Sequence, residues 1–195
     1  RKCDREQIYP AEFVTALTND GYLAALIPEE FGGAELPISA AAAILEEIHR
    51  SGGNAGACHA QMYTMGTVLR HGSDEQKQKY LPGIAEGSIR LQAFGVTEPS
   101  SGTDTTSLRT TARDEGDHYV VNGQKIWTSR AAYSDLMLLL CRTTPRDKVE
   151  KKTEGLSVLL VDMRDVPEGS LTIRPIRTMM NHATTEVFFD NMVAP

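Results

Sequence analysis

Apolar residues fall at helical spacing through the first 90 or so positions and at strand spacing after them. Ile38, Ala41, Ala42, Leu45 and Ile48 form one stripe, with Glu46, Glu47 and Arg50 on the other side, the pattern of an amphipathic helix. Gly52 and Gly53 stop it. Met62, Met65 and Leu69 mark a second stripe that ends at Gly72. Ser73 then caps a third helix, with Gln76 three residues on as a capping box requires. Pro82 and Gly83 are expected to end its regular part. An earlier helix is predicted from Pro10 to about Asn19.

After Ser88 the period shortens. Leu91 to Val96 is a short apolar run flanked by turn residues. Leu108 to Arg113 and His118 to Val121 flank Asp114-Glu115-Gly116-Asp117, the pattern of a hairpin loop. Asn122-Gly123 predicts a tight turn before a strand from Gln124 to Thr128. Leu136 to Arg142 and Leu156 to Asp162 are near-continuous apolar runs, expected as strands covered on both faces. Between them Arg146 to Glu154 is a charged loop that solvation alone explains. Glu186 to Asp190 is the last predicted strand. The chain shows no internal repeat and no low-complexity tract. The fold class is therefore α+β: an amino-terminal helical bundle (residues 1–90) followed by a β-barrel or sandwich-like middle domain (residues 91–195). Helices followed by strands argue against alternating βαβ units.

Composition narrows the function. The 195 residues carry 20 Lys plus Arg against 26 Asp plus Glu, a net charge of −6. An acidic chain lacks the cation surplus that neutralises nucleic-acid phosphates. A hydrophobic share of 41% is enough to bury a core, which argues against disorder. The longest apolar run, Leu136 to Cys141, is far short of the ~18–20 residues that span a bilayer. Cys3, Cys58 and Cys141 are odd in number and widely spaced, which points to free thiols in a reducing compartment. None of the five histidines has metal-ligand spacing with another. The sequence starts at Arg1 and stops at Pro195 just after a strand-like segment, as expected of part of a longer protein.

Two segments carry candidate chemistry. In LQAFGVTEPSSGTDTTS, Leu91 to Ser107, Glu98-Pro99 breaks a strand and a loop of small hydroxyl residues follows. Such loops expose N–H groups, and Gly102 lets a phosphate approach; on composition alone an ordinary turn is the commoner reading. In NGQKIWTSR, Asn122 to Arg130, the single tryptophan, Trp127, is either a core or edge aromatic filling a strand gap or a flat wall for a flat ligand, with Thr128 and Ser129 as donors beside it. Composition does not separate the two.

Taken together, FGVTEPSSGTD and GDHYVVNGQKIWTSR resemble the acyl-CoA dehydrogenase family. GYLAALIPEEFGG (Gly21 to Gly33) and DEQKQKYLP (Asp74 to Pro82) resemble its amino-terminal helical domain, so the likeness runs through the whole chain. The resemblance implies FAD as cofactor and α,β-dehydrogenation of an acyl-CoA thioester, with the α proton going to a carboxylate base and the β hydride to flavin N5. It implies that the strand Phe94 to Thr97 runs along the isoalloxazine ring, with Val96 and Thr97 at its pyrimidine edge. Donors there favour the charge of a reduced flavin. By the same likeness Gly102 and Thr103 meet the FAD pyrophosphate and Thr103 also reaches the acyl-CoA. Trp127 packs on the flavin face away from substrate, beside Thr128, and Ser129 hydrogen-bonds near N5. The family commonly shows Ile-Thr-Asn after the tryptophan, where this chain has Thr128-Ser129-Arg130, and Phe94 stands where tyrosine is common. The base is implied to be a glutamate in a carboxy-terminal helical domain, so no catalytic residue is assigned here; Glu98 is expected to hold its loop. Electron-transfer flavoprotein as electron acceptor, a homo-oligomeric (homotetrameric or homodimeric) state, a place in fatty acid metabolism, and a cytoplasmic or, in a eukaryote, mitochondrial-matrix location are further implications. The same fold serving as a flavin oxidase, a flavin monooxygenase or a non-catalytic subunit is the alternative.

Overall fold

The computed structural model describes residues 2–194, so Arg1 and Pro195, the two chain ends, lie outside the described residues. The chain divides into two compact units, Arg1–Gln92 and Ala93–Pro195.

The first unit is helical: α1 (Lys2–Glu6), α2 (Ala11–Asn19), α3 (Ile38–Arg50), α4 (Gly56–His71) and α5 (Asp74–Glu86). Val14, Leu17, Leu23, Ile48, Cys58 and Met62 lie in one apolar cluster. The capping box at the start of α5 is formed in full. The Ser73 hydroxyl accepts from Gln76 N–H at 3.2 Å, and the Gln76 carboxamide accepts from Ser73 N–H at 3.0 Å. Two expectations need correction. Pro82 does not end α5, which runs on to Glu86 and closes at Gly87 in the left-handed region (φ 86°). A proline inside a helix costs about 3 kcal/mol. Here Tyr80, Leu81 and Ile84 bury on either side of it and hold the last turn in place. The stripe of α3 is also narrower than its sequence suggests. Ala41 and Ile48 are buried, but Ala42 is exposed and Ile38, the first residue of the helix, is 75% exposed.

The second unit is a curled, mixed half-barrel sheet. Its strands are β1 (Leu91–Gly95, entering the unit at Ala93), β2 (Thr111–Asp114), β3 (Tyr119–Ser129), β4 (Leu136–Arg142), β5 (Leu156–Asp162), β6 (Leu171–Pro175) and β7 (Thr184–Ala194). The order is β1-β4-β2-β3-β7-β6, with β5 pairing β4. Strands β2 and β4 run parallel, with Thr111 opposite Arg142; β2–β3, β3–β7, β4–β5 and β6–β7 are antiparallel. Val121, Met137, Leu139, Val187, Phe189 and Met192 lie in its core.

β4 is buried on both faces as its sequence predicts, but β5 is not: Val158 is 45% exposed and among its seven residues only Val161 is buried. The long apolar run marks a strand paired along its length with β4, not one covered on both sides. β6, with polar Thr172 and Arg174 at alternate positions, has no apolar run to reveal it. Its Arg174 guanidinium lies 4.9 Å from the Phe188 ring centroid.

The largest correction concerns Asn122-Gly123. No turn forms there; β3 continues through both residues, with a register shift against β7 between Val121 and Gly123. The Asn122 carboxamide is spent across the sheet, accepting from Asn191 N–H at 2.9 Å and donating to Asn191 Oδ1 at 3.2 Å. Gly123 has φ 146°, and a Cβ there would come within 2.6–2.8 Å of Thr110. The glycine is needed for close strand approach, not for a turn. Gly123→Ala is therefore expected to destabilise the protein by about 2–4 kcal/mol, combining overpacking with backbone strain, as read from chemical unfolding curves.

Candidate functional site

The two segments singled out in the sequence meet directly. Between Lys125 and Thr128 the β3–β7 register shifts, so that Ile126 and Trp127 together oppose Glu186. This is a β-bulge, one residue too many on β3. The bulge turns the Ile126 N–H to the first segment, where it donates to the Thr97 carbonyl at 2.8 Å. One residue earlier, the Lys125 ammonium donates to the Val96 carbonyl at 3.0 Å and to Glu98 Oε1 at 2.9 Å.

That ammonium is fully buried and the Glu98 side chain is 4% exposed. Glu98 also accepts from the backbone N–H groups of Arg109, at 2.6 Å, and Thr110, at 2.9 Å. Burial pulls the Glu98 carboxyl upward, but hydrogen bonds from Thr110, Lys125 and Arg109 outweigh it and hold the group below its ordinary value. Burial also drives the Lys125 ammonium below its ordinary value, and Glu98 restores only part of the loss. Glu98 thus does the structural work expected of it.

Trp127 is thrown outward. Regular alternation would put it on the face of buried Lys125, two residues earlier. Instead it is 57% exposed, with φ 61°. A bulky residue in the left-handed region is an outlier that costs on the order of 1–2 kcal/mol. Trp127 is therefore not part of the core of this unit, and its flat face is exposed.

Beside it, Thr128 is buried and its hydroxyl has no hydrogen-bond partner, while its carbonyl accepts from the Thr185 hydroxyl at 2.7 Å. The Ser129 hydroxyl accepts from the Asn181 carboxamide at 2.7 Å. That bond leaves the single Ser129 O–H proton available to another acceptor. Phe94 is half-buried in β1, and Val96 and Thr97 are half-buried just beyond its end.

The hydroxyl loop is less open than its composition suggests. Glu98 and Ser101 exchange both backbone hydrogen bonds, at 3.0 and 3.1 Å, and close a tight turn. The Ser101 hydroxyl donates to the Asp104 carbonyl, and the Thr106 and Ser107 hydroxyls donate to the Asp104 carboxylate. Hydrogen bonds from Ser107 and Thr106 hold that carboxyl below its ordinary value. Those three hydroxyls serve the loop itself. Gly102 and Thr103 stay exposed, and a Cβ at Gly102 would meet nothing within 4 Å. Neither crowding nor a positive φ requires a glycine there. An exposed indole, an unpartnered buried hydroxyl, a serine proton not used by Asn181 and an open glycine loop make a set of groups that suits a flat, phosphorylated cofactor such as FAD.

Residues 1–88 match the model of the acyl-CoA dehydrogenase N-terminal domain and residues 93–192 that of the acyl-CoA dehydrogenase middle domain. The chain belongs to the acyl-CoA dehydrogenase family. It is 35% identical to acyl-CoA dehydrogenase FadE26 of Mycobacterium tuberculosis over 184 residues, covering 94% of this chain and 45% of that protein. The acyl-CoA dehydrogenase of Geobacillus kaustophilus superposes with a TM-score of 0.88 at 28% identity, over 100% of this chain and 50% of that one. The ChsE4-ChsE5 complex of Mycobacterium tuberculosis gives 0.80 at 34% identity, over 94% of this chain and 46% of that one. The chain thus spans about half the length of these relatives.

One departure from the acyl-CoA dehydrogenase pattern acquires a physical meaning. Arg130, where asparagine is common, sits in the left-handed region (φ 64°), and its N–H donates to the Ala183 carbonyl at 2.7 Å. Asparagine tolerates that conformation better than arginine. The position is a backbone turn before it is a side-chain contact.

Three residues of the site escaped the sequence reading. Lys125 joins the segments, Asn181 holds Ser129, and Arg142 ties the loop by donating to the Thr106 carbonyl at 3.1 Å. A lysine two residues before the tryptophan, within a strand pattern, was a visible signal; Asn181 offered none.

Two outcomes check this geometry. Trp127→Gly is expected to leave the unfolding free energy within about 1 kcal/mol of wild type, because relief of left-handed strain offsets the lost contacts. A core tryptophan would cost about 3–5 kcal/mol. The Glu98 carboxyl is lowered in the folded state, so its stabilisation is complete above the ordinary carboxylate range and is lost as pH falls through the folded value. The stability gap between wild type and Glu98→Gln should therefore shrink as the pH of urea titrations is taken from about 7 to about 3.

Proposed function

We infer that this chain carries the flavin-facing part of an FAD-dependent acyl-CoA dehydrogenase. The observation that supports this most is the bulge that presents Trp127 to the exterior and, one residue before it, bonds Ile126 N–H to Thr97. Strain and exposure at this tryptophan call for something to cover its flat face, and in this reading a flavin ring does so. In this reading Phe94, Val96 and Thr97 line one edge of the flavin, and Thr97 offers a hydroxyl and an N–H. Trp127 covers the ring face away from substrate, Thr128 supplies its unpartnered hydroxyl, and Ser129 donates the proton that Asn181 leaves free. Gly102 and Thr103 meet the pyrophosphate, and Thr103 also reaches the acyl-CoA. Bound FAD supplies the acceptor for the β hydride of the thioester.

Glu98 and Asp104 are engaged as structural acceptors, so the carboxylate that takes the α proton belongs outside these residues. Transfer of electrons to an electron-transfer flavoprotein and assembly with further copies or related chains complete the reading, as does a cytoplasmic or mitochondrial-matrix setting. Among the described residues no helix is long and apolar enough to cross a membrane.

The test is made on the full-length protein. Purified with FAD, it should lose its visible flavin absorbance when a matching acyl-CoA is added without oxygen, and Trp127→Ala should weaken FAD binding about tenfold or more. A wild-type protein that takes up no FAD would sink the reading. Rapid reoxidation of the reduced flavin by air would move it to the oxidase branch of the fold.

A further inference from the structure

The strongest unassigned feature is the buried ammonium of Lys125. It is the largest fully buried side chain among the described residues. One of its hydrogen bonds goes to Glu98, but the other goes to the Val96 carbonyl at 3.0 Å, inside the segment that carries the candidate flavin donors.

Across a trans peptide the carbonyl of one residue and the N–H of the next point in opposite directions. The described chain has no cis peptide. A lysine that holds the Val96 carbonyl therefore turns the Thr97 N–H away from itself. The next carbonyl, that of Thr97, is fixed in turn by Ile126 N–H at 2.8 Å. The Thr97 peptide is thus held from both sides by consecutive residues of β3, one through its side chain and one through its backbone. The aliphatic stem of Lys125 packs at Gly95, where an added Cβ would meet Lys125 Cγ at 3.2 Å. The whole side chain lies under the segment it steers. Neighbouring polar and ionisable groups do not replace it: Glu98 is its partner, and burial raises the Cys141 thiol to about 11, which keeps it protonated.

We propose that Lys125 is a positioning residue of the flavin site, which aims the Thr97 N–H at the cofactor by holding the Val96 carbonyl. This rests on the flavin reading above. Glu98 then acts in a second way as well. It anchors the ammonium at 2.9 Å and supplies the counter-charge that lets a lysine lie so deep.

The experiment compares FAD dissociation constants and the visible flavin spectrum in full-length protein. Single removal of the ammonium leaves a buried carboxylate, so the informative variant is Lys125→Met with Glu98→Gln, which keeps volume and removes both charges together. The expected result is FAD binding weakened at least tenfold and a shifted flavin band, with the far-ultraviolet circular dichroism of wild type. Lys125→Gln combined with Glu98→Gln keeps a neutral donor for the Val96 carbonyl with no charge left unpaired, and Lys125→Arg keeps a charged one. Both should bind FAD within about threefold of wild type. Should the methionine variant fail to fold, the glutamine and arginine variants carry the test, and a tenfold loss in both with a native fold overturns the proposal. A methionine variant that binds FAD as wild type does, with an unchanged spectrum, also overturns it, because Lys125 would then only fill space. A wild-type protein without FAD affinity fails at the earlier step, and the flavin reading falls with this inference.

Discussion

A lysine and a glutamate buried together are costly, and this fold is arranged around making that cost bearable. Desolvating two charges takes several kcal/mol each, and mutual attraction offsets that only when the remaining donors and acceptors are also satisfied. Here Glu98 accepts from Lys125, Arg109 and Thr110, and Lys125 donates to Glu98 and Val96. These bonds connect four stretches of chain: the end of β1, the turn after it, the approach to β2, and the middle of β3. Moving any one of them leaves a buried charge short of a partner. The pair therefore ties the loop and the two strands to one arrangement, because each stretch supplies a partner that the buried charges need.

The bulge in β3 gains its meaning from that constraint. Lys125 faces inward and Thr128 is buried, so the two residues between them must turn the chain without reversing its faces. An extra residue opposite Glu186 does so, at the expense of a tryptophan and, three residues on, an arginine in the left-handed region. Strain of this kind persists only where the surroundings over-determine it. Eight β3–β7 pairs flank the two irregularities, and the Ile126–Thr97 bond locks the bulge from the other side. The register on either side and the Ile126–Thr97 bond thus hold the indole face in one place.

Much of this was legible in the sequence where a residue's neighbours in the chain decide its role. The Ser73–Gln76 box is such a case, since both of its hydrogen bonds are local. So is β4, whose apolar run needs only a sheet on either side. Reading failed where partners are distant. Asn122-Gly123 has the local signature of a turn, but its carboxamide is claimed by Asn191, 69 residues on, and its glycine by the approach of Thr110. Pro82 reads as a stop until the buried residues around it hold the helix together. The hydroxyl loop shows the opposite error. Its residues were visible, but Ser101, Thr106 and Ser107 are satisfied inside the loop, and no pattern of residue types reveals which donors are already spent.

The division between spent and unspent groups also decides what the two acidic residues of the loop can do. A general base needs a lone pair open toward its proton donor and a proton affinity near the working pH. Glu98 has three hydrogen bonds on its two oxygens and is held below the ordinary carboxylate range. Asp104 accepts from Thr106 and Ser107 and is held low as well. Hydrogen bonding to the charged form lowers proton affinity and takes up the acceptor sites, so the bonds that make both residues good braces make both poor bases. The hydroxyl of Thr128 and the proton of Ser129 stand in contrast: one has no partner and the other is left over after Asn181 is served. Both can donate a hydrogen bond and neither takes up a proton at neutral pH, so these two hydroxyls are the groups beside Trp127 that stay open to an acceptor.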